Sequence, residues 1–162
     1  MSERIREFLE QQRPPTPCVV VDLEIIRQNY RNLREHLPLA QVYYAVKANP
    51  APEVVRMLAA EGSSFDTASL PEIDLCLAAG ANPQNISFGN TIKKESDIRE
   101  AFGRGVRLYA IDSQQELHKI ARSAPGSRVY CRILVENTGA QWPLSKKFGC
   151  AVEMAADLLT EA

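Results

Sequence analysis

Five short apolar runs begin near Val42, Ser64, Ile86, Arg107 and Arg128, about 21–23 residues apart, and an amphipathic segment follows each of the first four. That spacing holds one strand, one helix and two short turns, and little else. Strands that alternate with helices predict a parallel sheet with helices packed outside it, either open and doubly wound or part of a barrel. An earlier stretch has the same form: CVVVD at Cys18 to Asp22, followed by LEIIRQNYRNLREHL. Before it stands a polar leader, residues 1–16, which ends at Thr16-Pro17. Residues 17–162 then read as one continuous α/β region with no linker and no low-complexity segment.

The helix boundaries carry recognisable chemistry. Asp22 can cap the first long helix, and Ser69 with Glu72, like Ser113 with Glu116, fits the S-x-x-E capping box. Gly62 and Gly80 stand where a glycine commonly ends a helix. Composition removes several classes of function. The 162 residues carry 19 Lys and Arg against 20 Asp and Glu, so no basic surplus points to nucleic acid or an anionic membrane. Nothing approaches the run of about 18 apolar residues that spans a bilayer, and MSERIREFLEQQRPP lacks the apolar centre of a signal peptide. Four separated cysteines and two histidines offer no metal-ligand spacing, so no metal is expected, and the cysteines read as reduced thiols of a cytoplasmic protein.

The segment most in need of a chemical reason is YYAVKANP, Tyr43 to Pro50, an apolar strand that runs into a lysine. Lysine is rarely buried alone, and desolvation disfavours its charged form. A neutral amine is a nucleophile toward carbonyls, which is Schiff-base chemistry. The alternative is that Lys47 reaches out of the strand end into water. In strand alternation Ala45 and Lys47 share one face, and the small alanine leaves room there for a flat ring such as pyridoxal phosphate.

Other polar residues have competing readings. Asp66, at the end of the next strand, is a carboxylate at the level of Lys47 or a loop residue that bonds local amides. Glu72 is already explained by its capping box. Lys93 and Lys94 read as a solvated face, and Asp112 as structural. Arg132 lies inside the apolar stretch RVYCRILV, where a buried guanidinium requires an anion, either a cofactor's or a core aspartate's. No GxGxxG, GxxxxGK[ST] or G-x-S-x-G motif occurs.

Taken together, YYAVKANP, GSSFDTASLPEI, SFGNTIK, LYAIDS and WPLSKKFG resemble, in that order, the amino-terminal part of the pyridoxal-phosphate-dependent ornithine/lysine decarboxylases, of the alanine-racemase-like fold type. The resemblance runs from Thr16 to about Gly149, and no motif residue that aligns is substituted. It implies a partial (β/α)8 TIM barrel of about five parallel βα units, short of the last barrel units and of a carboxyl-terminal β domain to which CVVVD belongs. It implies pyridoxal phosphate as cofactor. By position, Lys47 matches the lysine that binds the cofactor covalently and later reprotonates the product, and Ala45 lies beside the cofactor. Asp66 and Arg132 match residues lining the cofactor site, Glu72 matches an acidic residue near the lysine, and Lys147 matches a lysine of the homodimer interface.

The activity implied is decarboxylation of ornithine or lysine to a diamine for polyamine synthesis. A whole barrel takes about 250 residues, so the resemblance implies a truncated chain, inactive alone and homodimeric at full length. A diaminopimelate decarboxylase-like enzyme and a non-catalytic, decarboxylase-like binding or regulatory protein are the alternative readings.

Overall fold

The computed structural model describes residues 1–135 and 148–162. The chain divides into two compact units, Met1–Gln41 and Val42–Ala162.

The first unit holds two helices, α1 (Glu3–Gln12) and α2 (Leu23–His36). The leader read as merely polar is therefore helical over most of its length. Ser2 caps it by accepting the Ile5 N–H, and Ile5, Phe8 and Leu9 lie on one helical face. Asp22 caps α2 as expected: its Oδ1 accepts the Glu24 N–H at 3.0 Å and lies 3.3 Å from Arg4 Nη1, which ties α2 to α1. The expected strand over Cys18–Asp22 does not form. The segment pairs with no strand among the described residues, and Val19 is 90% exposed. A β-strand is defined by a partner, and an apolar run alone does not supply one.

The second unit is a five-stranded parallel sheet in the order β1-β2-β3-β4-β5. Its elements run β1 (Tyr43–Ala45), α3 (Pro52–Ala60), β2 (Ser64–Thr67), α4 (Leu70–Ala78), β3 (Ile86–Phe88), α5 (Glu95–Gly103), β4 (Leu108–Ile111), α6 (Gln114–Ser123), β5 (Arg128–Cys131) and α7 (Val152–Glu161). The strands start within a residue of the positions expected from the apolar runs. A doubly wound sheet reverses its strand order partway, whereas here every strand lies beside its sequence predecessor, as in a barrel. This is the α/β arc of five parallel strands that the motif ensemble implies.

Strand alternation sorts the side chains. Val46, Phe65, Ile86, Phe88, Tyr109 and Ile111 point to the helices and are almost completely buried. Val54, Val55, Leu58, Ile73, Ile98 and Leu117 of the helices are buried as well. Each such side chain contributes about 1.5–3 kcal/mol by leaving water, so this layer holds the sheet and fixes its register. The opposite face carries Ala45, Asp66, Ser87, Ala110 and Tyr130.

Glycine ends α3 and α4 as expected. Gly62 and Gly80 take φ of 79° and 88°, while Ser63 and Ala81 donate back to the carbonyls of Leu58 and Cys76. The capping boxes form only in part. Ser113 Oγ accepts the Glu116 N–H at 3.4 Å, but the Glu116 carboxylate turns to Lys93. Ser69 makes no side-chain cap, and Glu72 instead accepts the Ala68 N–H at 2.7 Å.

Lys93 is not a solvated residue. It is 4% exposed, and its Nζ donates to the carbonyls of Ala110 at 2.6 Å and Asn90 at 2.8 Å and lies 3.2 Å from Glu116 Oε2. Burial pushes its ammonium below the usual lysine range, and the Glu116 charge opposes that shift. The short loop between β3 and α5 folds inward beneath α6, which the adjacent pair of lysines in sequence does not reveal. Lys94 is exposed, as expected.

Candidate active site

Parallel α/β sheets place their chemistry at the carboxyl ends of the strands, where backbone leaves the ladder and loops diverge. The sequence-predicted residues lie along this rim. Tyr43, Tyr44 and Ala45 form β1, and the chain then turns through a single 3₁₀ turn, Val46–Ala48, that carries Lys47. Val46 is the buried anchor of that turn, and Lys47 is exposed. The strand thus stops two residues before the lysine, and the amine stands free at the rim instead of being desolvated in a strand. The loop behind it is fixed: Tyr44 Oη donates to the Asn49 carbonyl at 3.1 Å, and Asn49 Oδ1 accepts the Ala51 N–H at 3.1 Å.

Ala45 pairs in register with Asp66 of β2, and Asp66 pairs with Ser87 of β3, so all three side chains share the inner face. Asp66 is not turned to its own backbone. Its Oδ1 accepts the Ser87 Oγ–H at 2.5 Å, and the Tyr130 hydroxyl of β5 points at the same oxygen from 3.5 Å. Gly89, at the end of β3, leaves the space for this carboxylate, since a Cβ there would lie 2.7 Å from Asp66 Cγ. Burial raises the Tyr130 phenol above its ordinary range, with Ser87 opposing and the Asp66 charge adding to the rise. Tyr130 therefore stays a neutral donor across physiological pH.

Among the described residues, the remaining candidates make no hydrogen bond or ion pair with Lys47 or Asp66. Glu72, in the first turn of α4, is occupied by the Ala68 N–H at the exit of β2. Arg132 follows the last residue of β5 and is exposed, so it is not the buried guanidinium its apolar neighbours suggested. Its Cζ lies 5.3 Å from the centre of the Phe148 ring. Asp112 is structural, accepting the Gly149 N–H at 3.0 Å. Lys147 lies outside the described residues. No group of three or more metal-ligating side chains occurs among the described residues. No helix among them is long and apolar enough to cross a membrane.

Ser87 and Tyr130 were overlooked in sequence, although their signal is present. In I-S-F and R-V-Y-C, period-two alternation puts Ser87 and Tyr130 opposite the buried residues on either side of them, on the face of Ala45 and Asp66. Together the rim offers an exposed primary amine, a small neighbour, and a carboxylate held by two hydroxyls. That donor set fits an aldehyde cofactor bound through an amine.

Comparison with known proteins agrees with this geometry. The profile of the pyridoxal-binding domain of the pyridoxal-dependent decarboxylases matches residues 23–162. The lysine/ornithine decarboxylase of Selenomonas ruminantium is 40% identical over 150 residues, covering 93% of this chain and 38% of the relative. A lysine decarboxylase structure from the same organism, solved with PLP and cadaverine, superposes with a TM-score of 0.83 at 37% identity, over 99% of this chain and 40% of that one. The Vibrio vulnificus lysine/ornithine decarboxylase complexed with cadaverine gives 0.83 at 31% identity, over 100% and 43%. The chain thus spans about two fifths of the length of these relatives. A five-stranded parallel arc with an exposed lysine after its first strand, matched over nearly its whole length in sequence and shape, belongs to the pyridoxal-binding domain of the pyridoxal-dependent decarboxylases.

Proposed function

We propose that this chain is the lysine-bearing portion of an enzyme that decarboxylates ornithine or lysine to the corresponding diamine, with pyridoxal phosphate as cofactor. The observation that carries the reading is the exposed Lys47 amine, one turn beyond Ala45 and at the same rim as Asp66. Two relatives solved with cadaverine support a basic substrate.

When bound, the cofactor supplies an electron-accepting ring that stabilises the carbanion left by loss of carbon dioxide. Lys47 Nζ would hold the cofactor covalently through its aldehyde carbon. The same nitrogen, when not bonded to the cofactor, would be the acid that returns a proton to the substrate's α-carbon. Ala45 leaves space beside that nitrogen. The Asp66 carboxylate attracts cationic groups at the rim, and Arg132, just after β5, and Glu72, in the first turn of α4, complete the cofactor surroundings. Lys147 belongs to the interface of a homodimer, and the four free thiols suit a reducing cytoplasm.

The test is to incubate the purified protein with pyridoxal phosphate, reduce with borohydride and map the modified peptide by mass spectrometry. One adduct per chain at Lys47, absent in Lys47→Ala, is the expected result. Labelling spread over surface lysines would overturn the assignment. Lys47→Ala itself should leave stability within about 0.5 kcal/mol, because an exposed side chain holds little of the fold together.

A further inference from the structure

We infer that Ser87 and Tyr130 are positioning residues that grip one oxygen of Asp66 and so present its other oxygen to the cofactor face beside Ala45 and Lys47. This rests on the cofactor reading above and adds two residues and a geometry to it.

Ser87 is the register partner of Asp66, 2% exposed, and its hydroxyl meets Oδ1 at 2.5 Å. Such a short O–H···O⁻ contact belongs to the charge-assisted class, about twice as strong as a neutral one. Tyr130 reaches the same Oδ1 from β5 at 3.5 Å. It can do so because its register neighbour on β4 is Ala110, whose methyl group leaves the inner face open between β5 and β2. Both donors converge on Oδ1, while no described residue donates to Oδ2. Gly89 adds the third constraint, since its missing side chain is the volume that Asp66 occupies.

An unrestrained aspartate rotates about two side-chain torsions and also bonds nearby backbone amides. Two hydroxyls on one oxygen remove that freedom and fix where the second oxygen points. The carboxylate is thereby preorganised at the end of the strand next to the lysine, before any ligand arrives. Tyr130 has the longer contact and acts through Asp66, without a role of its own in bond making.

The closing experiment separates this role from the cofactor assignment. In cofactor-free protein labelled at the tyrosine ring carbons, NMR follows ionisation of the Tyr130 phenol in wild type, Asp66→Asn and Ser87→Ala. Removing the Asp66 charge should lower the phenol's midpoint, and removing the Ser87 hydroxyl should raise it. A Tyr130 that ionises independently of both substitutions overturns the inference.

Binding of pyridoxal phosphate is then titrated by its absorbance in wild type, Tyr130→Phe, Ser87→Ala and Asp66→Asn, and in the doubles of each hydroxyl variant with Asp66→Asn. Loss of either hydroxyl should weaken binding about three- to tenfold, as one hydrogen bond is lost. Neither loss should matter further in Asp66→Asn. A hydroxyl effect that persists in Asp66→Asn, or no effect in wild type, overturns the positioning role, because a merely structural contribution would not depend on Asp66. Wild type that binds no cofactor, with the phenol coupling intact, overturns the cofactor reading and the positioning role with it.

Discussion

Lys93 Nζ and Glu116 Oε2 face each other across 3.2 Å, with 0% and 4% of their side chains open to water. Around them the Ala110 and Asn90 carbonyls take the other ammonium protons, Glu116 Oε1 accepts the Lys93 N–H at 3.3 Å, and Lys119 binds the same carboxylate from the surface side. The pair closes the loop between β3 and α5 against β4 and α6. Breaking a buried pair by removing one partner typically costs about 3–5 kcal/mol, whereas replacing both by apolar groups is often close to neutral. Lys93→Met should therefore lower the unfolding free energy in urea by about 3 kcal/mol, and Lys93→Met with Glu116→Leu should recover most of it. Equal losses in the single and double variants would overturn the expected recovery.

Gly89 and Asp66 make a steric prediction. In Gly89→Ala the new methyl would lie 2.7 Å from Asp66 Cγ and 2.9 Å from Oδ2, so the carboxylate must leave its contact with Ser87. Overpacking of this kind costs about 1–3 kcal/mol, read as a shift in the urea midpoint. Adding Asp66→Ala should restore stability, because the clash disappears with the carboxylate, while adding an alanine elsewhere on the inner face should not.

Tyr109 sets a pH limit. Its ring is fully buried against Phe88, with its hydroxyl donating to the Val106 carbonyl at 3.2 Å, and burial pushes the phenol up to about 12. The unfolded phenol ionises near 10. A folded value above the unfolded one means that the native state keeps its proton longer. The stabilisation is complete below pH 10 and lost as pH rises from 10 through 12. A rise of that size corresponds to about 3 kcal/mol. Stability measured against pH should fall through this window, and Tyr109→Phe should flatten the fall. An unchanged slope would place the titrating groups elsewhere.

The legible and illegible parts of the molecule divide by the range of the interactions that decide them. Strand starts, helix ends at Gly62 and Gly80, and the cap at Asp22 depend on neighbours a few residues away, and the sequence displays them. Lys93 depends on Glu116 and Ala110, which meet it only after β3, β4 and α6 have assembled. The same is true of the Glu116 carboxylate, which a capping box would have turned toward Ser113. Arg132 appeared buried because apolar letters surround it, yet β5 ends at Cys131 and the side chain emerges beyond it. Cys18–Asp22 has the composition of a strand without a partner among the described residues. At the site, Lys47 and Asp66 were visible as chemistry out of place, whereas Ser87 and Tyr130 look ordinary until register sets them on one oxygen.

The unbroken strand order also bears on how the chain assembles. Each strand of the sheet pairs with the one made just before it, so every ladder closes a chain segment of similar, modest size. Closure entropy grows only with the logarithm of that length, and none of these pairings waits for a distant strand. During synthesis at about 5–20 residues per second, β1 is present when β2 emerges, and β2 when β3 does. The topology therefore allows the arc to grow by one βα unit at a time, in the direction in which the ribosome delivers it.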